Sequence, residues 1–395
     1  MTKGRRIWGK AAQLCVLIPA LAISGYTPHA HSAQGLAKGP IHSKQPGRPV
    51  APQASESTPF VLPPEIGRAR PVSEPVDAAQ RILDARIRQL AQGFDGDVGI
   101  AVREVDSGWT TSWNGDRYFP QQSVSKFWVA LTAFQRIDAG QLDLSQQVTL
   151  RREDLTLFHQ PIASQIGSGS YTTTLGDLIF RALTQSDNTC NDAVLRRVGG
   201  PEAVRAMLST SRLEGVRFGP GERLMQSQIA GLQWQPSYSV GRAFYQARSG
   251  VPLERRRSAF ESYVEDPIDG ATPAGIVDGL ARLQRGELLS RTSTERMLSI
   301  MSQTRTGRQR LTGGLAAGWR IAHKTGTGQV LGSTQTGYND IGILTSPEGR
   351  HYAVAVMIGR TSVPIPQRMA LMQNVTRAVI SFDGTRSLGG GAITR

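Results

Sequence analysis

Apolar positions recur along the chain with two periods, and their order sketches the fold. From Val76 a helical pattern places Ala79, Leu83, Ile87 and Leu90 on one face; Pro75 precedes it and Gly93 closes it. Two short runs follow, Val98–Glu104 and Thr110–Asn114, on either side of Asp106-Ser107-Gly108, which is a hairpin signal. From about Ser123 to Met301 the period is mostly helical. Strand-like runs return around Trp319–Lys324, Asp340–Thr345 and Tyr352–Ile358, the last two joined by a turn at Pro347-Glu348-Gly349. An amphipathic helix over Pro366–Phe382, carrying Met372, Val375 and Val379, closes the pattern. Helix and strands at both ends of a helical middle predict an α+β fold. One antiparallel sheet, built from both chain ends with flanking helices, would carry an inserted all-helical lobe. No internal repeat is visible.

Outside this pattern the texture differs. Arg5, Arg6 and Lys10 precede an apolar stretch from about Ala11 to Gly25, and Ala30-His31-Ser32-Ala33 supplies small residues for cleavage. Residues 1–33 therefore read as a secretory signal peptide, since the stretch falls short of the ~20 residues that span a bilayer. Arg5-Arg6 loosely resembles a twin-arginine signal. A secreted or periplasmic location follows, with no membrane span left after cleavage. Residues 34–75, rich in Pro, Ser, Gly and Ala, read as a spacer, and 383–395, with Gly389 to Gly391, as a tail.

The 395 residues carry 45 Lys+Arg against 31 Asp+Glu, a formal +14, of which about +10 remains once the signal is removed. Taken alone, that balance suggests nucleic acid or an acidic surface. No nucleic-acid, phosphate-loop or dinucleotide motif accompanies it. Two cysteines exclude a disulfide scaffold and a zinc ribbon; Cys15 leaves with the signal, and Cys190 reads as a small buried residue. The histidines are scattered, His323 beside a strand, and no metal or cofactor is expected.

The kind of positive charge says more than its sum. The chain has six lysines, and from Val76 onward only Lys126 and Lys324 remain among 34 arginines. Arginine stays protonated in a protein, whereas a lysine that is buried or set beside other cations can lose its proton. Lys126 closes Ser123-Val124-Ser125-Lys126, ahead of the apolar run Phe127–Leu131. Three residues is about one helical turn, which sets an amine beside a hydroxyl at a helix start that also favours an oxyanion. Lys324 opens Lys324-Thr325-Gly326-Thr327 at a strand end, and Ser186-Asp187-Asn188 lies between the two, where its simplest reading is a helix cap or turn.

Ser-x-x-Lys, then Ser-Asp-Asn 63 residues on, then Lys-Thr-Gly 138 further, resembles the ordered trio of penicillin-recognising serine acylases. From about Val76 to Phe382 the sequence is similar to class A β-lactamases and their penicillin-binding relatives. Thr272–Ile276, Gly286–Ser290, Thr306-Gly307 and Asn339-Asp340 follow in the family's order. The resemblance implies a nucleophilic Ser123 that forms an acyl-enzyme, with Lys126 as its activating partner. Ser186 would pass a proton to the leaving nitrogen and Asn188 would hold the substrate amide. Lys324, Thr325 and Thr327 would bind the substrate carboxylate, with Gly326 counted among the substrate-binding residues. The N–H groups of Ser123 and Thr327 would form an oxyanion hole.

Deacylation in that family needs a glutamate about 36 residues after the serine of Ser-Asp-Asn. That spacing selects Glu222, with Arg217 as a loop brace and Gln226 in place of a water-binding Asn. Two positions depart from the pattern: Arg223 stands where Pro is usual, and Asp192 where Asn generally braces the loop. A larger departure is an insertion over about 227–271, holding Trp234, Tyr238, Phe244, Tyr245, Phe260, Tyr263 and Arg255-Arg256-Arg257. It is expected to be a packed helical hairpin with a solvated basic face; the alternative is a lid that shapes the cleft. The expected function is a secreted, monomeric serine hydrolase opening β-lactam rings without a cofactor. The alternatives are a D-Ala-D-Ala carboxypeptidase or penicillin-binding protein with slow β-lactam turnover, and a non-catalytic penicillin-binding sensor domain.

Overall fold

The computed structural model describes residues 78–390, with side chains as far as Thr385. The expected signal peptide (1–33) and spacer (34–75) lie outside the described residues. Helix α1 (Ala78–Gln92) buries Ala79, Leu83, Ile87 and Ala91; Ala91 takes the place expected of Leu90, which is only partly buried. The hairpin of β1 (Val98–Glu104) and β2 (Thr110–Trp113) follows.

The inserted lobe is built around α2 (Lys126–Asp138), whose first nine residues are all buried, as befits a helix covered on every side. Around it stand β3 (Gln147–Arg151), the single turn α3 (Ala163–Ile166), β4 (Ser170–Thr174), α4 (Leu175–Thr184), α5 (Asn188–Arg197) and α6 (Gly200–Thr210). Next come α7 (Glu222–Ile229), α8 (Ala243–Gly250), α9 (Leu253–Glu265), α10 (Pro273–Gln284) and α11 (Arg291–Met301). The lobe is not all helical: β3 and β4 pair as an antiparallel ribbon in which only Val148 and Leu150 of β3 are buried. Two apolar side chains among polar ones give too weak an alternation to register as a strand pattern.

The chain then completes the sheet with β5 (Arg320–Thr327), β6 (Val330–Leu331), β7 (Thr334–Thr345) and β8 (His351–Thr361), and ends in α12 (Ile365–Gly390). The strand order is β2-β1-β8-β7-β5, with β6 on β7, all antiparallel, so both chain ends share one sheet as expected. The period of two sorts its faces. Val98, Ile100, Val102, Val354, Val356 and Ile358 pack with Leu83, Ile87, Met372 and Val375 of the terminal helices. Ala101, Ile341, Ile343, Ala353, Ala355 and Met357 face the lobe. Strands β5 and β7 run longer than predicted because polar residues continue the ladder: Thr325, Gly326 and Thr327 stand opposite Asp340, Asn339 and Tyr338. Helix α12 also outruns its predicted end and takes in residues 383–390 of the segment read as a tail. Asp383 holds it down, accepting from Tyr352 Oη at 2.6 Å and from Arg350.

The insertion is helical and packed. Met225 and Ile229 of α7 meet Phe260, Tyr263 and Val264 of α9, while Phe244 of α8 is buried with Leu157 and Ala230. Arg255 and Arg257 are exposed, so the basic run does face solvent in large part.

Candidate active site

Ser123 sits in a short 3-10 turn, Gln122–Ser125, that runs directly into α2. The turn is anchored from three sides. Gln122 adopts a left-handed φ of 54° and donates its N–H to Asp269 Oδ2 at 2.8 Å. Gln121 Nε2 donates to the Arg217 carbonyl at 2.9 Å, and Asn339 Nδ2 donates to the carbonyls of Pro120 (2.7 Å) and Gln121 (3.1 Å). Strand β5 passes so close that a Cβ on Gly326 would lie 2.3 Å from the Gln121 oxygen. Glycine at 326 is thus what allows the Lys-Thr-Gly strand to lie against the serine's turn.

One helical turn beyond Ser123, Lys126 is buried with its ammonium aimed back at the hydroxyl: Nζ lies 2.8 Å from Ser123 Oγ and 2.9 Å from Asn188 Oδ1. The same nitrogen forms a close buried ion pair with Glu222. Asp187 fulfils the cap reading of Ser-Asp-Asn, since its Oδ1 accepts from Cys190 N at 2.9 Å and starts α5. Its neighbours face the cleft. Ser186, held at a left-handed φ of 61°, accepts from Lys324 Nζ at 3.0 Å, and Asn188 Nδ2 donates to the Leu157 carbonyl at 2.8 Å.

Lys324 is completely buried and also donates to the Thr325 carbonyl. Burial, then the charges of Lys126 and Arg310, push its pKa well below the usual lysine value. Thr325 Oγ1 lies 2.7 Å from Thr306 Oγ1, and Arg310 reaches Thr327 Oγ1 with Nη2 at 2.6 Å. Glu222 opens α7, where the helix terminus favours a carboxylate. Its Oε2 accepts from Gln226 Nε2 at 3.3 Å, and its N–H donates to Asp192 Oδ1 at 3.2 Å. Asp192 therefore braces the Glu222 turn as an asparagine would, but as an acid. Burial, and then the Glu222 charge, raise its pKa to about 6. Asp269, buried behind the nucleophile's turn, is raised to about 7 by burial, against the lowering effect of its bonds from Tyr263 and Gln122.

The serine, the second serine, Asn188, Glu222, Thr325 and Thr327 line one cleft of about 490 Å³. All nine residues selected from sequence thus fall in or directly behind a single site. Arg217 does brace the neighbouring chain, pairing with Asp266 and stacking 4.1 Å over Tyr118. Arg223, in the place of a proline, donates to the Glu153 carbonyl at 2.7 Å and lies over Trp234. His323, on β5 itself, bonds to Asp340 at 2.9 Å, and Cys190 is a free, buried thiol.

This arrangement of a hydroxyl, a buried amine and a buried carboxylate agrees with the sequence relationships. The sequence model of the β-lactamase enzyme family matches residues 82–382. The chain belongs to that family. Its relatives are of class A. It is 25% identical to β-lactamase VEB-1 of Pseudomonas aeruginosa over 280 residues, covering 71% of this chain and 83% of that one. It is also 25% identical to extended-spectrum β-lactamase PER-1 of Pseudomonas aeruginosa over 307 residues, covering 78% and 89%. A solved β-lactamase from Chitinophaga pinensis superposes with a TM-score of 0.63 at 25% identity, over 77% of this chain and 99% of that one. The protein is a β-lactamase hydrolase of class A type with that family's α+β fold.

Among the residues that line or support the β-lactamase cleft, Arg310, Gln122 and Arg248 were not singled out from sequence. Arg310, bonded to the carbonyls of Gly326 and Asn339 as well as to Thr327, is one arginine among 34 and carries no local signal. Gln122 links Tyr263 Oη, to which its Nε2 donates at 2.7 Å, to Gln226, from whose Nε2 its Oε1 accepts at 2.9 Å. Tyr245 and Arg248 bring α8 of the insertion to the cleft wall. The insertion is therefore a packed hairpin that also contributes to the cleft.

Proposed function

We propose that this β-lactamase opens its substrate through an acyl-enzyme on Ser123 and releases it with water activated by Glu222. The observation that carries this reading is the buried contact of Lys126 Nζ with Ser123 Oγ on one side and Glu222 on the other. Passing one proton from Lys126 to Glu222 leaves a free amine beside the serine, which is the base a hydroxyl needs. Ser123 Oγ attacks the lactam carbonyl as its proton moves to Lys126, and the oxyanion forms toward the N–H groups of Ser123 and Thr327. The C–N bond then breaks as Ser186 gives its proton to the ring nitrogen, a proton restored from the neighbouring amines. Lys324, Thr325, Thr327 and Arg310 hold the substrate carboxylate, and Asn188 its amide.

Deacylation needs a carboxylate that can reach a water on the ester. Glu222, deprotonated again, takes the proton of that water, oxygen attacks the ester carbon, and Ser123 leaves with the proton returned through Lys126. Gln226 orients Glu222 and contributes an amide to the water's place. A buried carboxylate beside Ser123 supports hydrolysis over the slow release of a penicillin-binding protein. The protein acts as a secreted monomer in this reading. Among the described residues no helix is long and apolar enough to cross a membrane.

The test is a chromogenic β-lactam mixed with the protein, followed by absorbance and intact mass. Steady hydrolysis is expected. A single burst with a lasting adduct would place the protein with the penicillin-binding relatives, and neither signal would leave a sensor or inactive domain.

A further inference from the structure

The insertion brings to the cleft a cation with no ion-pair partner among the described residues. Arg248 of α8 lines the same cavity as Ser123 and donates Nη2 to the carbonyl of Val330 at 2.5 Å. Val330 stands three residues beyond Thr327, so the guanidinium is tied to the continuation of the Lys-Thr-Gly strand, past its carboxylate-binding part. Arg256 and Tyr245 act on it electrostatically, and among the described residues no carboxylate forms an ion pair with it. Beside it, buried Phe244 props two outward-facing rings: Phe158 edge-on at 5.0 Å and Tyr245 at 5.6 Å. Phe158 and Tyr245, 37% and 54% exposed, both line the cleft. Phe158 is held there in a left-handed backbone, φ 59°, which an aromatic residue adopts only under constraint from its surroundings. The cleft thus carries one cationic pole at Lys324 and Arg310 and a second, half-buried one at Arg248, with aromatic rings beside the second.

We propose that Arg248, framed by Tyr245 and Phe158, forms an anion subsite for the acyl side chain. The enzyme then favours β-lactams bearing an aryl ring and a side-chain carboxylate over otherwise identical monoanionic ones. A planar guanidinium with free N–H donors matches a carboxylate, and the low local dielectric strengthens the pair. The rings supply the apolar surface on which an aryl group stacks. Arg248 is in this view a specificity-determining residue, and the inference rests on acylation at Ser123 as proposed above.

The test compares α-carboxybenzylpenicillin with benzylpenicillin, which differ by the one carboxylate, and reads the ratio of their kcat/KM values in the full chain. R248Q is expected to lower that ratio about tenfold, with the change mainly in KM, and R248K to restore part of it. R257Q, which removes a charge from the exposed face of α9, leaves the ratio where it was. Raising the salt concentration lowers the wild-type ratio and leaves that of R248Q nearly level. Since both substrates meet the same enzyme, a folding defect in R248Q changes both rates and spares the ratio. A ratio within twofold of wild type in R248Q overturns the subsite while leaving Ser123 chemistry intact. Failure of the wild type to acylate with either penicillin would remove both readings together.

Discussion

Lys126 and Lys324 are the same side chain in different surroundings, which the proposed mechanism turns to different tasks. Lys126 touches a hydroxyl, an amide oxygen and a carboxylate, the partners of an amine that moves protons. Lys324 touches a hydroxyl and a carbonyl, with Lys126 and Arg310 as cationic and Asp340 and Glu222 as anionic neighbours; burial and the cations lower its pKa, and an incoming carboxylate would favour its charged form. If that division is right, arginine should replace them unequally. K126R keeps the charge but supplies no base at neutral pH, so acylation should fall by roughly 10²–10⁴. K324R keeps the charge that its role requires and should lose less in kcat, with KM rising as the longer side chain fits poorly. Rapid-mixing measurement of the acylation rate for both variants checks this; equal losses would contradict it.

At the scale of elements, the segment from Arg217 to Thr272 carries most of what distinguishes this β-lactamase. Asp192 supports α7 through the Glu222 N–H, at the cost of a second buried acid beside Glu222. Its pKa is about 6 in the folded protein against an ordinary 3.8, so the folded state holds this proton more tightly than the unfolded chain does. The resulting stabilisation is complete below pH 4 and is lost as pH rises through 6. D192N keeps an oxygen acceptor without the charge. Its melting temperature should therefore gain on wild type between pH 4.5 and 7.5, by the equivalent of on the order of 2–3 kcal/mol. A difference that stays flat over that range would show that Asp192 is not the titrating group. The same segment marks where sequence stopped being informative. Glu222 was reached through the spacing from Ser186 that the family resemblance supplies, and the aromatic residues announced a packed hairpin. That Tyr245 and Arg248 face the cleft depends on how α8 docks, which no local periodicity encodes. The ribbon of β3 and β4 was hidden for a related reason: its polar, threonine-rich strands bury little and so leave almost no pattern.

For the whole molecule, the sheet was readable because its strands β1 and β8 are near-continuous apolar runs, buried on both faces against different sets of side chains. The excess of arginine was the least informative feature by number and concealed Arg310 and Arg248, which act through position alone. What remains central is the proposed reaction in two halves, in which Ser123 would take the acyl group and Glu222 return it to water. The most direct test is the E222Q protein mixed with benzylpenicillin and followed by intact mass and peptide mapping. The account predicts an adduct of the full penicillin mass on the peptide containing Ser123, persisting in E222Q while the wild type returns to its unmodified mass. Turnover by E222Q at the wild-type rate, with no adduct detected, would contradict it.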